Sequence, residues 1–289
     1  MQYLKPIDKV RIGIVGGGYV GSATALLESS LTEVVVYDLD PSKCRPQGFE
    51  FSQLRHCNIV FVCVPTPMKH NGQCHTDIVE SVIKDLQDLE DAPYIVVRST
   101  VPVGFCKKHG VNFMPEFLTE KNWRQDFFEN KDWIVGSSDL KDKNFPQVMK
   151  QILKASHKEG KIKNSPSIHS SDTSTAELCK LARNCFLATK VSFFNEMSKF
   201  SEAVGVNYES ARELIVLDER VGESHTKVPG PDGKGGFGGT CFPKDMNSAQ
   251  HQMNSNSSAS ILIEAAIRRN NTVDRTDLDW LQDKGRAVV

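Results

Sequence analysis

The sequence predicts an α/β chain in which a parallel sheet, wound with helices on both faces, is followed by a mostly α-helical second part. Three observations carry this expectation. Short β-branched runs alternate with helical patterns through the first half, a glycine-rich turn joins the first run to the first helix, and after about residue 170 helical spacing replaces the strand signals.

Composition sets the outer limits. A chain of 289 residues suggests about two domains, with ordinary hydrophobic (39%) and charged (25%) fractions for a globular protein. A net charge of −1 gives no electrostatic case for nucleic acid or an acidic membrane surface. The cysteines Cys44, Cys57, Cys63, Cys74, Cys106, Cys179, Cys185 and Cys241 include no CxxC pair, and the histidines show no HExxH spacing. Reduced thiols in a cytoplasmic compartment and no metal site are therefore expected. Charges at Lys5, Asp8, Lys9 and Arg11 argue against a signal peptide. No apolar run approaches the roughly 18 residues that span a bilayer.

The run Val10–Val15 leads into Gly16-Gly17-Gly18-Tyr19-Val20-Gly21, a G-x-G-x-x-G pattern between a strand and a helical stretch from Ser22 to Leu27. Gly16 permits the tight turn, Gly18 lets backbone approach a pyrophosphate, and Gly21 lets helix and strand pack closely. The helix then offers free N–H groups to the phosphates. A second strand, Val34–Tyr37, ends at Asp38, an acid placed to accept hydrogen bonds from an adenosine ribose and to repel a 2′-phosphate. The pattern predicts a Rossmann domain that prefers NAD to NADP, with Lys43 and Arg45 close by. The runs Asn58–Val64 and Tyr94–Arg98 are nearly all apolar, as strands buried on both faces are. Ligands lie beyond the carboxyl ends of such strands, so Pro65, Thr66 and Thr100 should face the cofactor.

Phe113–Glu120 carries two carboxylates four apart, Glu116 and Glu120. The residues alone fit a sugar-binding loop and a solvated face equally well. A further strand is expected at Trp133–Gly136. Ser165-Pro166 and Ser170-Ser171-Asp172 read as a domain boundary, which gives a cofactor domain over 1–168 and a helical domain over 169–289. Ser174 and Glu177 form an S-x-x-E capping box that opens a helix reaching about Gly205. Leu178, Leu181, Cys185, Ala188, Met197 and Phe200 recur along it at helical spacing. A helix of that length suits a homodimer interface. Lys180 and Asn184, four apart, project from one face near its start. Another helix is expected at Tyr208–Leu217, then a polar stretch Asn247–Ser258 and a last helix Ile261–Asn270.

The stretch Gly235-Gly236-Phe237-Gly238-Gly239-Thr240-Cys241-Phe242-Pro243-Lys244-Asp245 concentrates the chemistry. Its glycines allow close approach to a ligand. A nearby lysine favours the thiolate form of Cys241, and Asp245 can orient a water or carry a proton. The plainer alternative makes Cys241 a small buried apolar residue.

With these residues identified, the chain from Val10 to about Asn270 resembles the UDP-glucose and GDP-mannose dehydrogenase family. The likeness rests on Gly16-x-Gly18-Tyr19-Val20-Gly21, Val64-Pro65-Thr66-Pro67, Ser99-Thr100-Val101-Pro102-Val103-Gly104 and Pro115-Glu116-Phe117-Leu118. It continues through Lys180-x-x-x-Asn184, Asp218-x-Arg220-Val221-Gly222 and Gly238–Asp245, and Phe242 and Lys244 resemble the UDP-glucose branch. Lys121 stands where the family prefers glycine, and Trp133 where it prefers arginine.

The resemblance implies a four-electron, NAD-dependent oxidation of a nucleotide sugar, UDP-glucose favoured, through a thiohemiacetal and thioester on Cys241. It implies that Lys180 and Asn184 stabilise the oxyanion, that Asp245 and Thr100 hold a water, and that Glu116 assists hydrolysis. Cofactor contacts would come from Gly16, Gly18, Tyr19, Val20, Gly21, Asp38, Lys43, Val64, Pro65, Thr66, Ser99, Thr100, Glu120 and Lys244. Substrate contacts would come from Glu116, Phe117, Leu118, Glu120, Lys180, Asn184, Phe237 and Gly238, with Arg220 reaching across a dimer. Family members continue into a second Rossmann-like domain that holds the nucleotide base, so a two-domain form ending at Val289 is expected. A dehydrogenase for a smaller hydroxylated substrate and a non-catalytic NAD-binding subunit are the alternatives.

Overall fold

The computed structural model describes residues 9–289, so the charges at Lys5 and Asp8 lie outside the described residues. The chain divides into two compact units. One runs through Thr66 and resumes over Thr76–Lys180, and the other comprises Pro67–His75 and Leu181–Val289.

The first unit opens as the sequence predicts, with β1 (Val10–Val15), α1 (Tyr19–Thr24) and β2 (Thr32–Tyr37). It continues through β3 (Ile59–Val62), α2 (Asp77–Gln87), β4 (Tyr94–Val97), α3 (Phe105–His109), β5 (Asn112–Phe113), α4 (Trp123–Glu129), β6 (Asp132–Ser137), α5 (Asn144–Lys158) and β7 (Ser167–Asp172). Among the described residues these strands form one seven-stranded sheet in the order β2-β1-β3-β4-β5-β6-β7. Pairings are parallel except at β5 and β6, which meet antiparallel at Phe113 and Gly136.

Both faces of the sheet are covered, which explains the near-continuous apolar strands. On one face Ile12, Ile14, Phe61 and Val96 pack with Ala23, Leu27, Phe145 and Ile152. On the other, Val35, Val60, Val62 and Val97 pack with Leu54, Ile83, Leu86 and Phe105. Each fully buried side chain of this size contributes about 1.5–3 kcal/mol.

Two expectations are corrected where the chain leaves this sheet. The serine-rich stretch read as a boundary after residue 168 is the edge strand β7, paired with β6 along Asp132–Ser137. Its residues are half-buried or exposed, so backbone pairing and not apolar burial holds it, and polar side chains hide it from a hydrophobicity pattern. The compact units divide further on, between Lys180 and Leu181, within the helix α6 (Thr173–Ala203). The start of α6 is also held differently. Asp172 accepts from the Thr175 amide at 2.9 Å and its hydroxyl at 2.6 Å, hydrogen bonds that hold the Asp172 carboxyl below its ordinary range. Glu177 reaches away to accept from the amides of Gly104 (2.6 Å) and Cys106 (2.7 Å). It thereby caps α3, whose own N-cap residue, Gly104, has no side chain to do so.

The second unit holds α7 (Tyr208–Ile215), α8 (Phe242–Ser255) and α9 (Ile261–Arg269). Its core joins Leu181, Cys185 and Ala188 of α6 to Phe237, Met246, Ala249 and Ala266. Most of the polar stretch Asn247–Ser258 is helical, because Met246, Ser248 and Ala249 give α8 a buried side. Pro67–His75 belongs here because Met68 pairs with the chain's last residues, donating to Ala287 O (2.8 Å) and accepting from Val289 N (3.0 Å). No helix among the described residues is long and apolar enough to cross a membrane.

Glu177 is 1% exposed, and removing its carboxylate strands two backbone donors. Glu177→Ala is expected to lower unfolding stability by about 2–5 kcal/mol, and Glu177→Gln by less, because its amide oxygen still accepts. Urea denaturation measures both. An unchanged midpoint for Glu177→Ala would remove the capping role.

Candidate active site

The first unit supplies a dinucleotide cradle. Gly16 has φ +101°, and a Cβ there would lie 2.7 Å from the Cys63 carbonyl oxygen. A Cβ on Gly21 would come within 1.9 Å of the Gly16 carbonyl oxygen, so only glycine lets α1 start against β1. Gly18 is different, because its Cβ would meet nothing within 4 Å, and this open side is where a pyrophosphate would lie. The residues therefore fit NAD. Asp38 follows β2 as expected, but its carboxylate already serves the loop. Oδ2 accepts from Gly17 N at 2.6 Å and Oδ1 from Asp40 N at 2.8 Å. Each oxygen keeps a second lone pair for a ribose hydroxyl. Val64, Pro65 and Thr66 follow β3, and Ser99 and Thr100 follow β4. Ser99 Oγ donates to Val64 O at 2.6 Å, tying these two strand ends together.

Glu116 and Lys180 form a buried pair in the same unit, 5% and 3% exposed. Lys180 Nζ donates to Glu116 Oε1 at 2.8 Å and to the Glu116 carbonyl oxygen, and lies 5.3 Å over the Phe117 ring. Glu116 also accepts from Leu118 N at 2.7 Å. Two of the three Lys180 donors are thus spent on positioning the loop Glu116–Leu118. The two-carboxylate reading of this loop divides accordingly, since Glu116 is buried and Glu120 is exposed.

The second unit supplies the thiol. Cys241 is half-buried at the N-cap of α8, where the helix dipole is positive. Asp245, one turn on and 1% exposed, accepts from Asn184 Nδ2 at 2.6 Å and from Lys244 Nζ. Burial works to lower the Lys244 pKa, but the charges of Asp245, Cys241 and Cys74 outweigh it and hold the ammonium above its ordinary value. Lys244, expected to contact the cofactor, thus spends a donor on Asp245. Asp245 and Thr100, expected to share a water, belong to different units. Arg220 is exposed and paired with Asp218.

Sequence reasoning missed what holds the glycine-rich loop. Asn195 of α6 accepts from Gly236 N (3.0 Å), while Asn270 accepts from Phe237 N (2.7 Å) and donates to Phe237 O (3.0 Å). Arg275, anchored by Asp232 and Asp279, lies across Gly238, where any Cβ would strike its guanidinium. The expected substrate contact Phe237 is 3% exposed in the core, so its side chain anchors the loop. Nothing in the spacing of Asn195, Asn270 and Arg275 singles them out among the polar residues of this half.

The chain is similar to known proteins along most of its length. Residues 45–157 match the NAD binding domain of the UDP-glucose/GDP-mannose dehydrogenase family, and residues 174–272 match its central domain. The first match begins after the glycine-rich loop, so that loop stands on its structure. A UDP-glucose 6-dehydrogenase of Rickettsia bellii is 30% identical over 257 residues, covering 85% of this chain and 56% of that protein. An uncharacterized protein of Methanocaldococcus jannaschii is 32% identical over 276 residues, with 82% and 30% covered. The chain thus spans less than two thirds of the length of these curated relatives. A UDP-glucose dehydrogenase structure from Pyrobaculum islandicum shares the fold at TM-score 0.75 and 24% identity, covering 94% of this chain and 70% of that one. A 3-hydroxyisobutyrate dehydrogenase from Mycobacterium tuberculosis shares it at 0.70 and 17%, with 97% and 96% covered.

The eight cysteines differ in environment. Burial pushes the thiols of Cys57 and Cys63 up to about 11 and that of Cys185 to about 12, and drives Cys106 higher still. These four should resist iodoacetamide at neutral pH while the half-buried Cys44, Cys179 and Cys241 react, as peptide mass mapping of partly labelled protein would show. Equal labelling of Cys241 and the buried four would contradict the assigned environments.

Proposed function

The chain belongs to the UDP-glucose/GDP-mannose dehydrogenase family, and on that basis we propose that it oxidises the primary alcohol of a nucleotide sugar, UDP-glucose favoured, to the uronic acid. The observation that carries this reading is Cys241 at the N-cap of α8, one turn before an Asp245 bound by both Asn184 and Lys244. The relatives named UDP-glucose 6-dehydrogenase support the choice of sugar. Eight free cysteines fit a reducing, cytoplasmic setting.

Bound NAD would accept a hydride in each of the two oxidations. Gly16, Gly18 and Gly21 shape its cradle, and Asp38 offers its remaining lone pairs to a ribose. In the first oxidation a water held by Asp245 takes the hydroxyl proton as the alcohol becomes an aldehyde. The Cys241 thiolate then adds to the aldehyde carbon, and the oxyanion formed is met by the donors of Lys180 and Asn184. The thiohemiacetal loses its hydroxyl proton and a hydride to give a thioester. Glu116 assists the water that cleaves the thioester, and the acid leaves while the thiol is restored. Lys180 and Asn184 are four residues apart in the sequence of α6.

We propose further that the chain is a homodimer joined through α6. Phe186, Phe193 and Phe200 recur every seven residues on this helix and are 67%, 53% and 59% exposed. Three phenylalanines in line form an apolar stripe that water alone covers poorly. Arg220, with its side chain in solvent, would reach a partner's substrate.

NADH release from UDP-glucose by the purified chain tests the reaction. Wild type is expected to yield two NADH per sugar, while Cys241→Ser should bind NAD normally and lose at least about a hundredfold in turnover, a hydroxyl being a far poorer nucleophile. Unimpaired turnover by the mutant would sink the covalent route. A wild type that binds NAD but leaves UDP-glucose untouched would move the reading to a smaller hydroxylated substrate or a non-catalytic subunit.

Sedimentation tests the assembly. A dimer is expected at micromolar concentration, and Phe186→Ser with Phe193→Ser and Phe200→Ser should make it monomeric. A monomeric wild type would remove both the interface and the role of Arg220 in a partner's site.

A further inference from the structure

A second cleft in the first unit lies on the flank of α1. It measures about 460 Å³ and is lined by Ser22, Ala25, Leu26 and Glu28 beside Val36, Trp123 and four cations, Lys43, Arg45, Arg124 and Lys161. That volume lies in the range of small-ligand sites. Its walls differ in character. Ala25, Leu26, Val36 and Trp123 belong to or pack on the core of the sheet face that α1 and α5 cover. The four cations face a single lining carboxylate, Glu28, and Arg45 is already paired with it. Lys43 has one partner outside the lining, Asp40, at 3.6 Å with both side chains half-exposed, an ion pair that water weakens. Arg124 stacks on Trp123, its guanidinium carbon 4.5 Å from the ring centroid. The whole chain carries a net charge of −1, so this concentration of positive charge is local.

The cleft touches the cofactor loop at Gly17 and Lys43 but runs away from it. A dinucleotide crosses the carboxyl ends of the strands, past Gly18 and Asp38 toward the residues after β3 and β4. The cleft instead follows Ser22, Ala25 and Leu26 along the side of α1 and the single 3₁₀ turn that continues it. Tyr37, Phe51 and Val64 pack against the core of the opposite sheet face.

We propose that this cleft binds a second nucleotide, a nucleoside di- or triphosphate distinct from the dinucleotide cofactor. Its base lies against Trp123, Leu26 and Val36, and its phosphates meet Arg124, Lys161, Arg45 and Lys43. Planar guanidinium groups suit both requirements, because they bind phosphate oxygens in pairs and stack on rings. Sharing Lys43 with the cofactor loop gives an occupant of the cleft a direct route to altering NAD affinity.

The probe is GDP, titrated by calorimetry into protein saturated with NAD, with tryptophan emission followed in parallel. Trp133 and Trp280 are 3% and 4% exposed, so quenching by a surface ligand reports on Trp123. One GDP site with quenching is expected. Arg124→Glu with Lys161→Glu, both exposed positions, should weaken GDP by about tenfold or more while NAD affinity and circular dichroism stay unchanged. Inorganic pyrophosphate should bind at least about tenfold more weakly than GDP, because it lacks the ring. GDP binding abolished by NAD would make the cleft part of the cofactor site, and GDP binding untouched by the double variant would place the nucleotide elsewhere. Pyrophosphate binding as tight as that of GDP would show that charge alone acts. Any of these three results overturns the proposal.

Discussion

Three buried polar side chains on α6 constrain everything else in this chain. Glu177, Lys180 and Asn184 lie at i, i+3 and i+7, and so share one helix face. A charge or amide there must find partners, because burying it unpaired costs several kcal/mol. Each finds them in a different segment: the amides that start α3, the carboxylate and carbonyl of Glu116, and the carboxylate of Asp245. The partners are the start of one helix, one loop and the first turn of another helix. Lys180 and Asn184, the proposed oxyanion donors, are thus also residues the fold needs, so a mutation at either tests stability together with the proposed role.

The glycine-rich loop shows how a flexible sequence is made rigid without side chains of its own. Gly235–Gly239 can adopt many backbone conformations in isolation. In the fold its amides and carbonyls are claimed by Asn195 and Asn270, and Arg275 closes over Gly238. Arg275 is in turn fixed by Asp232 and Asp279, hydrogen bonds that outweigh burial and raise its pKa. Cys241 follows this loop directly, so the position of the thiol depends on residues far along the chain.

How much of this was legible in the sequence follows from the kind of force involved. Apolar burial writes a pattern, so β1 to β4, the glycine turn and the long helix could be read from residue types. Backbone pairing writes none, and the serine-rich β7 therefore read as a boundary. Side-chain capping is ambiguous in sequence: Ser174 and Glu177 have the right spacing for a capping box, yet Glu177 serves α3 and Asp172 holds the start of α6. Pairings across long separations leave no local trace at all. The match of Lys180 to Glu116 was invisible although both were candidates, and Asn270 and Arg275 were not candidates.

The cysteines show how burial can silence part of a set of thiols. A sequence with eight thiols invites unwanted oxidation and alkylation, since any ionised, accessible thiol is a nucleophile. Cys57, Cys63, Cys106 and Cys185 are each withdrawn from water beside apolar neighbours or a carboxylate, and each titrates well above the ordinary range. Cys185 lies on α6 one residue after Asn184 and receives the added repulsion of Asp245. Burial does most to raise this second sulfur, and the carboxylate that Asn184 and Lys244 bind adds to it. Burial thus narrows the field from eight thiols to the half-buried Cys44, Cys179 and Cys241, and of these only Cys241 stands at the N-cap of a helix with a lysine and a buried carboxylate in its first turn.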